Sequence, residues 1–411
     1  MPDYDLVIIG AGLVGGSLAC ALSATPLRVA LIEAAPPRAG SRPSYDERVI
    51  ALSLGSRRIF DAIGVWPDMA PEAEPILEVQ VSDRGHCGFS RLHHAEEGVE
   101  ALGYVVPARV MGQAIHGAIQ YAPNLEVFCP ARLVHHEVRG DGVDLEVQLD
   151  EERVRFRTRL LVAADGGDSA VRDQLDLKMT GHAYGHDAII TTVTPDRTRP
   201  GLAFERFTDS GPLAMLPMTS GRYSVVWTCR EQETADLLAL SDADFLARLQ
   251  TRFGYRLGRL REAAPRHAYP LKLALIRDSV RERLVLIGNA AHTLHPVAGQ
   301  GFNLGLRDVA ALAEVVTLAA NRSDDPGAAS TLADYRRWRR RDQVGTAHLT
   351  DTLARLFVIP WAPVRVARNL GLLGLDLTPA ARHLVARRFM GLDGRLPRLA
   401  RGLSLEQAHV R

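Results

Sequence analysis

The stretch Asp5-Leu-Val-Ile-Ile-Gly10-Ala-Gly12-Leu-Val-Gly15-Gly16 constrains the fold more than any other feature of the chain. A short β-branched run without alternation reads as a strand buried on both faces. The pattern G-x-G-x-x-G follows at once. Then come a small-residue helix over 17–24 and a second strand over 27–32 that ends at Glu33. This order is a βαβ dinucleotide-binding unit. Gly10 permits the tight turn, Gly12 lets the backbone approach a pyrophosphate, and Gly15 lets the helix pack closely on the strand. The helix N-terminus offers free N–H groups to phosphate oxygens. Glu33 can accept hydrogen bonds from an adenosine ribose. The unit alone does not separate FAD from NAD.

Two further strand–glycine–helix segments follow. In Leu160-Leu-Val-Ala-Ala-Asp165-Gly166-Gly167-Asp168-Ser169, a buried strand runs into a glycine turn, with Ser169 as a candidate N-cap. By itself this is compatible with any βα connection. In the third, a strand from Arg283 ends at Gly288-Asn289, and a loop with His292, His295 and Pro296 leads to Gly299-Gln300-Gly301-Phe302-Asn303. Gly299 and Gly301 would let a planar ligand approach the backbone. A helix beginning there would point N–H donors at a ring that gains negative charge on reduction.

Together, in this order, the three segments resemble the class A flavoprotein aromatic hydroxylases. The resemblance implies that the first motif binds the ADP half of FAD. Asp165 and Gly166 would lie near the pyrophosphate, in a motif tied to NAD(P)H use. Gly288, Asn289, Gly299, Gly301 and Asn303 would hold the ribityl chain and flavin, with Pro296, Gly299, Gln300 and Gly301 bordering the reaction site. The family usually has Gly-Asp where this chain has Gly288-Asn289; asparagine can hydrogen-bond a hydroxyl but carries no charge. Gly-Asn-Ala-Ala followed by Leu-His-Pro-Val-Ala-Gly-Gln-Gly-Phe-Asn-Leu-Gly is similar to the ubiquinone-biosynthesis subgroup. Tyr45-Asp46-Glu47-Arg48-Val49-Ile50-Ala51-Leu52 resembles another segment of that subgroup, with Arg48 near the phosphates or flavin. Gly103 to Gln113 resembles a strand–helix segment with a further FAD contact, here Arg109. Tyr335 to Phe357 resembles the long C-terminal helix.

The fold class expected is α/β: a Rossmann-like FAD-binding domain, an interleaved β-sheet substrate domain and a helical C-terminal region. The FAD-binding pieces are 1–75, 96–180 and 265–325, the substrate pieces 76–95 and 181–264, and the helices 326–411. Alternation in Leu213 to Pro217 and Tyr223 to Trp227 supports the sheet, with Met215 and Pro217 as candidate substrate contacts. The resemblance implies hydroxylation of an aromatic ring with NAD(P)H as transient reductant and O2 as co-substrate. The ring it implies is 2-polyprenyl-6-methoxyphenol of ubiquinone biosynthesis; no catalytic residue is identified. The alternatives are another phenolic substrate, or a non-catalytic FAD-bound member of a biosynthetic complex.

Charge and cysteine content exclude other classes. Among 411 residues, 49 basic and 48 acidic side chains leave a formal charge of +1, so no global field recruits nucleic acid. Cys20, Cys87, Cys129 and Cys229 form no CxxC pair, which argues against a thiol–disulfide flavoprotein and a zinc site. No metal is expected. His93-His94 and His135-His136 read as surface pairs. No run of about 20 uncharged apolar residues is present, so no membrane-spanning helix is expected. The acidic start, with Asp3 and Asp5, is unlike a signal peptide. The expected location is cytoplasmic, with peripheral contact at the inner membrane as an option. The apolar stretch from Ala354 to Leu375, flanked by arginines, is open to a membrane surface, a partner in a biosynthetic complex, a dimer seam or a packed helix pair.

Overall fold

The computed structural model describes residues 2–36 and 48–405. Its first sheet contains five parallel strands, in the order Leu284–Leu286, Glu152–Ala163, Tyr4–Ile9, Val29–Ile32 and Leu125–Phe128. The unbroken apolar run in the first strand has a simple cause. Leu6 and Ile8 are buried with Leu18, Leu22, Val309 and Leu312 of helices Leu13–Leu22 and Gln300–Asn321. Val7 and Ile9 are buried on the opposite face with Val143, Leu145 and Leu133. Each fully buried aliphatic side chain contributes about 1.5–3 kcal/mol.

The second sheet has nine strands and is largely antiparallel. Its central strands are Met179–Pro195, Tyr223–Arg230, Gly211–Pro217 and Leu202–Thr208, and Glu78–Asp83 and Phe89–His93 complete one edge. Helices Glu231–Ala239 and Asp242–Phe253 cover one face, burying Phe204, Leu213, Met215, Val225 and Trp227 with Phe245, Leu249 and Phe253. The opposite face looks toward the loop before Gln300. One strand departs from the expected division. His267–Ile276, assigned to the FAD-binding part from sequence, pairs with Met179–Pro195 and so belongs to the second sheet. His292–Thr293 then pairs with it. The third glycine segment therefore crosses from one sheet to the other.

A small sheet of Val49–Ser53, Gly103–Pro107 and Glu74–Ile76 supports the crevice between the two large ones. The last helices are Ala329–Leu356, Ala362–Leu377 and Pro379–Phe389. The first of these packs along Gln300–Asn321. Among the described residues, no helix is long and apolar enough to cross a membrane.

Candidate functional site

The register brings the three glycine segments to one edge. Ile9 lies beside Ala163, and Ala163 beside Leu286. Gly10, Ala164-Asp165-Gly166 and Ile287-Gly288 therefore leave adjacent strands side by side. Ligands of open α/β sheets bind in the crevice beyond such carboxyl ends.

The glycines separate into two physical groups. Gly10 has φ 97°, and a Cβ there would lie 2.7 Å from the Ala164 carbonyl oxygen. A Cβ on Gly15 would lie 1.9 Å from the Gly10 oxygen. One on Gly305 would lie 3.2 Å from the Gly288 Cα, where the helix crosses that turn. The protein's own packing requires Gly10 and Gly15 and leaves little room at Gly305. At Gly12, Gly166, Gly167 and Gly301, by contrast, a Cβ would meet nothing within 4 Å. At Gly12, Gly167 and Gly301 the protein's own packing does not explain the missing side chain, whereas a ligand in the open crevice would; at Gly166 the backbone itself, with φ 89°, favours glycine.

Polar groups converge on the same space. Helices Leu13–Leu22 and Gln300–Asn321 begin at Gly12 and Gly299 without a side-chain cap, leaving N–H donors. Asp165 accepts the Val171 N–H through Oδ2 at 3.3 Å, while its buried Oδ1 has no partner. Glu33 accepts the Ala11 N–H at 2.6 Å, which holds its carboxylate at the first glycine turn. Asn289 is exposed at the third turn.

The loop before Gln300 is held in an uncommon shape. Ala298 and Gly299 are successive left-handed residues, with φ 56° and 62°. For alanine this costs about 1–2 kcal/mol. Asn303 stabilises the turn: its Oδ1 accepts the Ser53 N–H at 2.8 Å, and its Nδ2 donates to the Ala51 and Gly299 carbonyls at 2.8 and 2.6 Å. Gln300 is buried and donates to the Ala298 carbonyl at 3.1 Å. Pro296 is half-buried at the start of this turn.

His295 anchors the other end. Its Nδ1 accepts the Val297 N–H at 3.1 Å, and its ring lies edge-on to Tyr184 at 5.0 Å. Burial pushes the imidazole down to about 4, and His186 adds to this while Asp351 opposes it. A folded value below the unfolded one means that the unfolded chain takes the proton first. The stability from this residue is present above about pH 6.5 and is lost as pH falls toward 4. Chemical denaturation of His295→Gln should show a loss between pH 7 and pH 5 that is about 2 kcal/mol smaller than in the unsubstituted protein. Identical pH dependence in the two proteins would refute this account.

Several candidate residues have other partners. Arg109, expected on the cofactor, pairs with Glu72. The Arg48 guanidinium lies 4.9 Å from the centre of the Tyr269 ring; Tyr45, Asp46 and Glu47 lie outside the described residues. The Asn303 side chain shapes the loop rather than presenting an amide to the crevice. Met215 must be corrected as a substrate contact. It is fully buried under the helices of the second sheet. Pro217, two residues on, shares its strand face. Leu216 points the other way and packs with Ala51 and Met218. Parity along the strand was legible, but which face met the crevice was not.

Behind the loop lies a buried charge network that sequence reading missed. His292 Nε2 meets Asp308 Oδ2 at 2.6 Å, and Arg339 Nε meets Asp308 Oδ1 at 2.7 Å. Arg339 and Arg307 both reach Asp342 at 2.7 Å. Burial pushes the Asp308 carboxyl up, but Arg339 and His292 outweigh it and hold the group below the usual range. The network ties the loop, the helix from Gln300 and the helix from Ala329 into one unit.

Comparison with known proteins agrees with this geometry. A family model described as an FAD binding domain matches residues 3–348. The chain belongs to that FAD-dependent family. It is 41% identical over 405 residues to a ubiquinone hydroxylase, UbiL, of Rhodospirillum rubrum, covering 98% of this chain and 93% of that one. It is 30% identical to the 3-demethoxyubiquinol 3-hydroxylase of Escherichia coli, covering 94% and 98% of the two chains. Among solved structures, p-nitrophenol 4-monooxygenase PnpA from Pseudomonas putida superposes with a TM-score of 0.78 at 19% identity, covering 95% and 98%. The last likeness concerns fold.

The protein is thus a flavin-dependent aromatic monooxygenase of the ubiquinone-hydroxylase group, and its cofactor is FAD. When bound, FAD reduced by NAD(P)H supplies the transfer of an oxygen atom from O2 to the ring. The residues present fit this cofactor. Gly10, Gly12 and Gly15 with the helix from Leu13 would hold the pyrophosphate half, and Glu33 the ribose. Asp165, Gly166, Gly288 and Asn289 would border the chain that links it to the flavin. Uncapped N–H groups near Gly301 would stabilise negative charge on the ring. The two sheets and the loop between them would limit water, which protects reactive oxygen species from unproductive decay.

Proposed function

We propose that this chain hydroxylates 2-polyprenyl-6-methoxyphenol, a lipid-dissolved intermediate of ubiquinone formation. One observation carries the reading. On the crevice side of the second sheet, Val81, Ala214, Val226 and Ile190 form an apolar row across neighbouring strands, interrupted by a single carboxylate. Phe207 extends this wall and stacks on Phe357 at 3.5 Å, beside Val297 of the loop. Such a wall suits an uncharged ring with an apolar tail. The names of the two relatives support a ubiquinone precursor rather than another phenol. The test is quinone analysis by mass spectrometry in a bacterial strain that lacks ring hydroxylation. Restored ubiquinone with loss of 2-polyprenyl-6-methoxyphenol supports the reading. Restoration from a different accumulated precursor would move the reaction to another ring position.

The same reading places the enzyme at a membrane surface. Trp361, Val366, Leu370 and Leu377 are 68%, 57%, 62% and 80% exposed on the segment leading into and along Ala362–Leu377. Arginines flank this face, as expected at an anionic lipid interface. Replacing Leu370 and Leu377 together with glutamate removes about 1.5–3 kcal/mol of apolar transfer per residue. Co-flotation with anionic vesicles should fall at least about tenfold while FAD content stays constant. Unchanged flotation would sink the membrane assignment.

A further inference from the structure

We propose that Glu205 is the catalytic base that removes the proton from the substrate's phenolic hydroxyl. This rests on the reading of the substrate as a phenol.

The argument starts from strand parity. Leu202–Thr208 reads Leu-Ala-Phe-Glu-Arg-Phe-Thr. Leu202 and Phe204 point into the core beneath the helices. Ala203, Glu205 and Phe207 therefore share the other face. Ala203 clusters with Leu216, Met218 and Ala51, and Phe207 clusters with Val297 of the cofactor loop. Glu205 lies between them, against that loop. Its cross-strand neighbours are Val81 and Ala214, and the row continues through Val226 to Ile190. A single carboxyl thus stands in an otherwise apolar row that faces the crevice.

A buried carboxyl without partners is costly, so its setting needs a reason. The Ala298 backbone lies near enough to the Glu205 carboxyl to favour its charged form. One demand is unmet: Oε1 is buried and has no hydrogen-bond partner, although the residue as a whole is half-buried and borders the crevice. Among the described residues no arginine or histidine neutralises the group; burial and the nearby Ala298 backbone govern its ionisation. Asp83, on the neighbouring strand, is already paired with Arg368 and Asn369. His295 of the loop is turned to Val297. Arg206 lies on the opposite face of the strand. A phenol hydroxyl is the kind of donor that satisfies Oε1.

The chemistry follows from this position. Burial pushes the Glu205 carboxyl up to about 7, with the Ala298 backbone opposing. A base poised there is available near neutral pH yet strong enough to share a phenol proton. The phenol O–H bond breaks, its proton goes to the carboxylate, and the electron pair remains on the phenolate oxygen. That charge enriches the ring carbons ortho and para to it, where one oxygen atom of O2 adds; NAD(P)H supplies two electrons and the other oxygen leaves as water. The ring carbon then loses its own hydrogen as a proton to water when aromaticity returns. The Glu205 proton returns to the product phenolate. The left-handed turn at Ala298 sets the cofactor loop beside Glu205 and would hold carboxyl and ring in register.

The test compares the purified FAD-loaded protein with Glu205→Gln and Glu205→Asp, using a short-chain 2-prenyl-6-methoxyphenol as the probe. Hydroxylation by Glu205→Gln at neutral pH should fall about 100-fold or more, with partial retention in Glu205→Asp. NAD(P)H oxidation should continue, its electrons now ending in hydrogen peroxide. Product formation by Glu205→Gln should recover at alkaline pH, where the phenol ionises unaided. The hydroxylation rate of the unsubstituted protein should rise with pH as a carboxyl ionises near pH 7, and Glu205→Gln should lack that limb. Hydroxylation within about threefold of the unsubstituted protein, with the same pH profile, would overturn the base assignment alone. An unsubstituted protein that neither binds nor hydroxylates the phenol would overturn the substrate reading and the base with it.

Discussion

Gly12→Trp should yield a folded protein with essentially no bound FAD. A Cβ at Gly12 would meet nothing within 4 Å, so the side chain starts out into open space rather than into the chain. The ring would instead occupy the crevice at the start of helix Leu13–Leu22, where the pyrophosphate must approach the N–H donors. Substitution at Gly15 is different, because a Cβ there would strike the Gly10 carbonyl at 1.9 Å and disturb the turn itself. The pair of variants therefore separates loss of cofactor from loss of fold. Affinity for FAD should fall by more than about a thousandfold in Gly12→Trp, since phosphate contacts and apolar burial are lost together. Flavin absorbance after purification, with circular dichroism as the folding control, measures it. Normal flavin content in folded Gly12→Trp would refute the pyrophosphate placement.

Arg339→Met should destabilise the protein by about 3–5 kcal/mol, the range for removing one partner of a buried ion pair. Arg339 is 3% exposed and Asp308 0%. Without the guanidinium, Asp308 keeps, among the described residues, His292 and Gln343 as side-chain partners in a setting that excludes water. Burial then pushes its carboxyl up unopposed by the main cation, so the variant should gain stability relative to the unsubstituted protein as pH falls. The double variant Arg339→Met with Asp308→Asn should recover part of the loss, because no uncompensated carboxylate remains. Urea denaturation of both variants checks this. A loss below about 1 kcal/mol in Arg339→Met would mean that the network does not hold the loop to the two helices.

The cofactor-facing signals were readable in sequence because they are local. A buried strand, a glycine turn and a helix start occupy one contiguous segment, and each obeys backbone sterics and hydrogen-bond saturation within a few residues. Gly10, Gly12 and Gly15 look alike in sequence, yet only the structure distinguishes Gly12, which faces open space, from the two that packing requires. Likewise, the Leu202–Thr208 sequence presents a glutamate in an apolar strand, a signal that could have marked Glu205.

Other assignments depended on partners far along the chain. Arg109 meets Glu72, and Asn303 meets Ala51 and Ser53. No spacing rule connects those residues. Strand His267–Ile276 joined the second sheet because its hydrogen-bond partner is Met179–Pro195. Alternation told that Met215 and Leu216 face opposite ways, since side chains on a strand repeat every two residues. Only the tertiary structure decided which face the helices cover and which the cofactor loop meets. The sequence by itself determined the βαβ unit and its binding chemistry, because neighbouring atoms set both. Packing between distant segments decided the substrate wall, the buried ion network and the position of Glu205, because each exists only where two sheets and a loop converge.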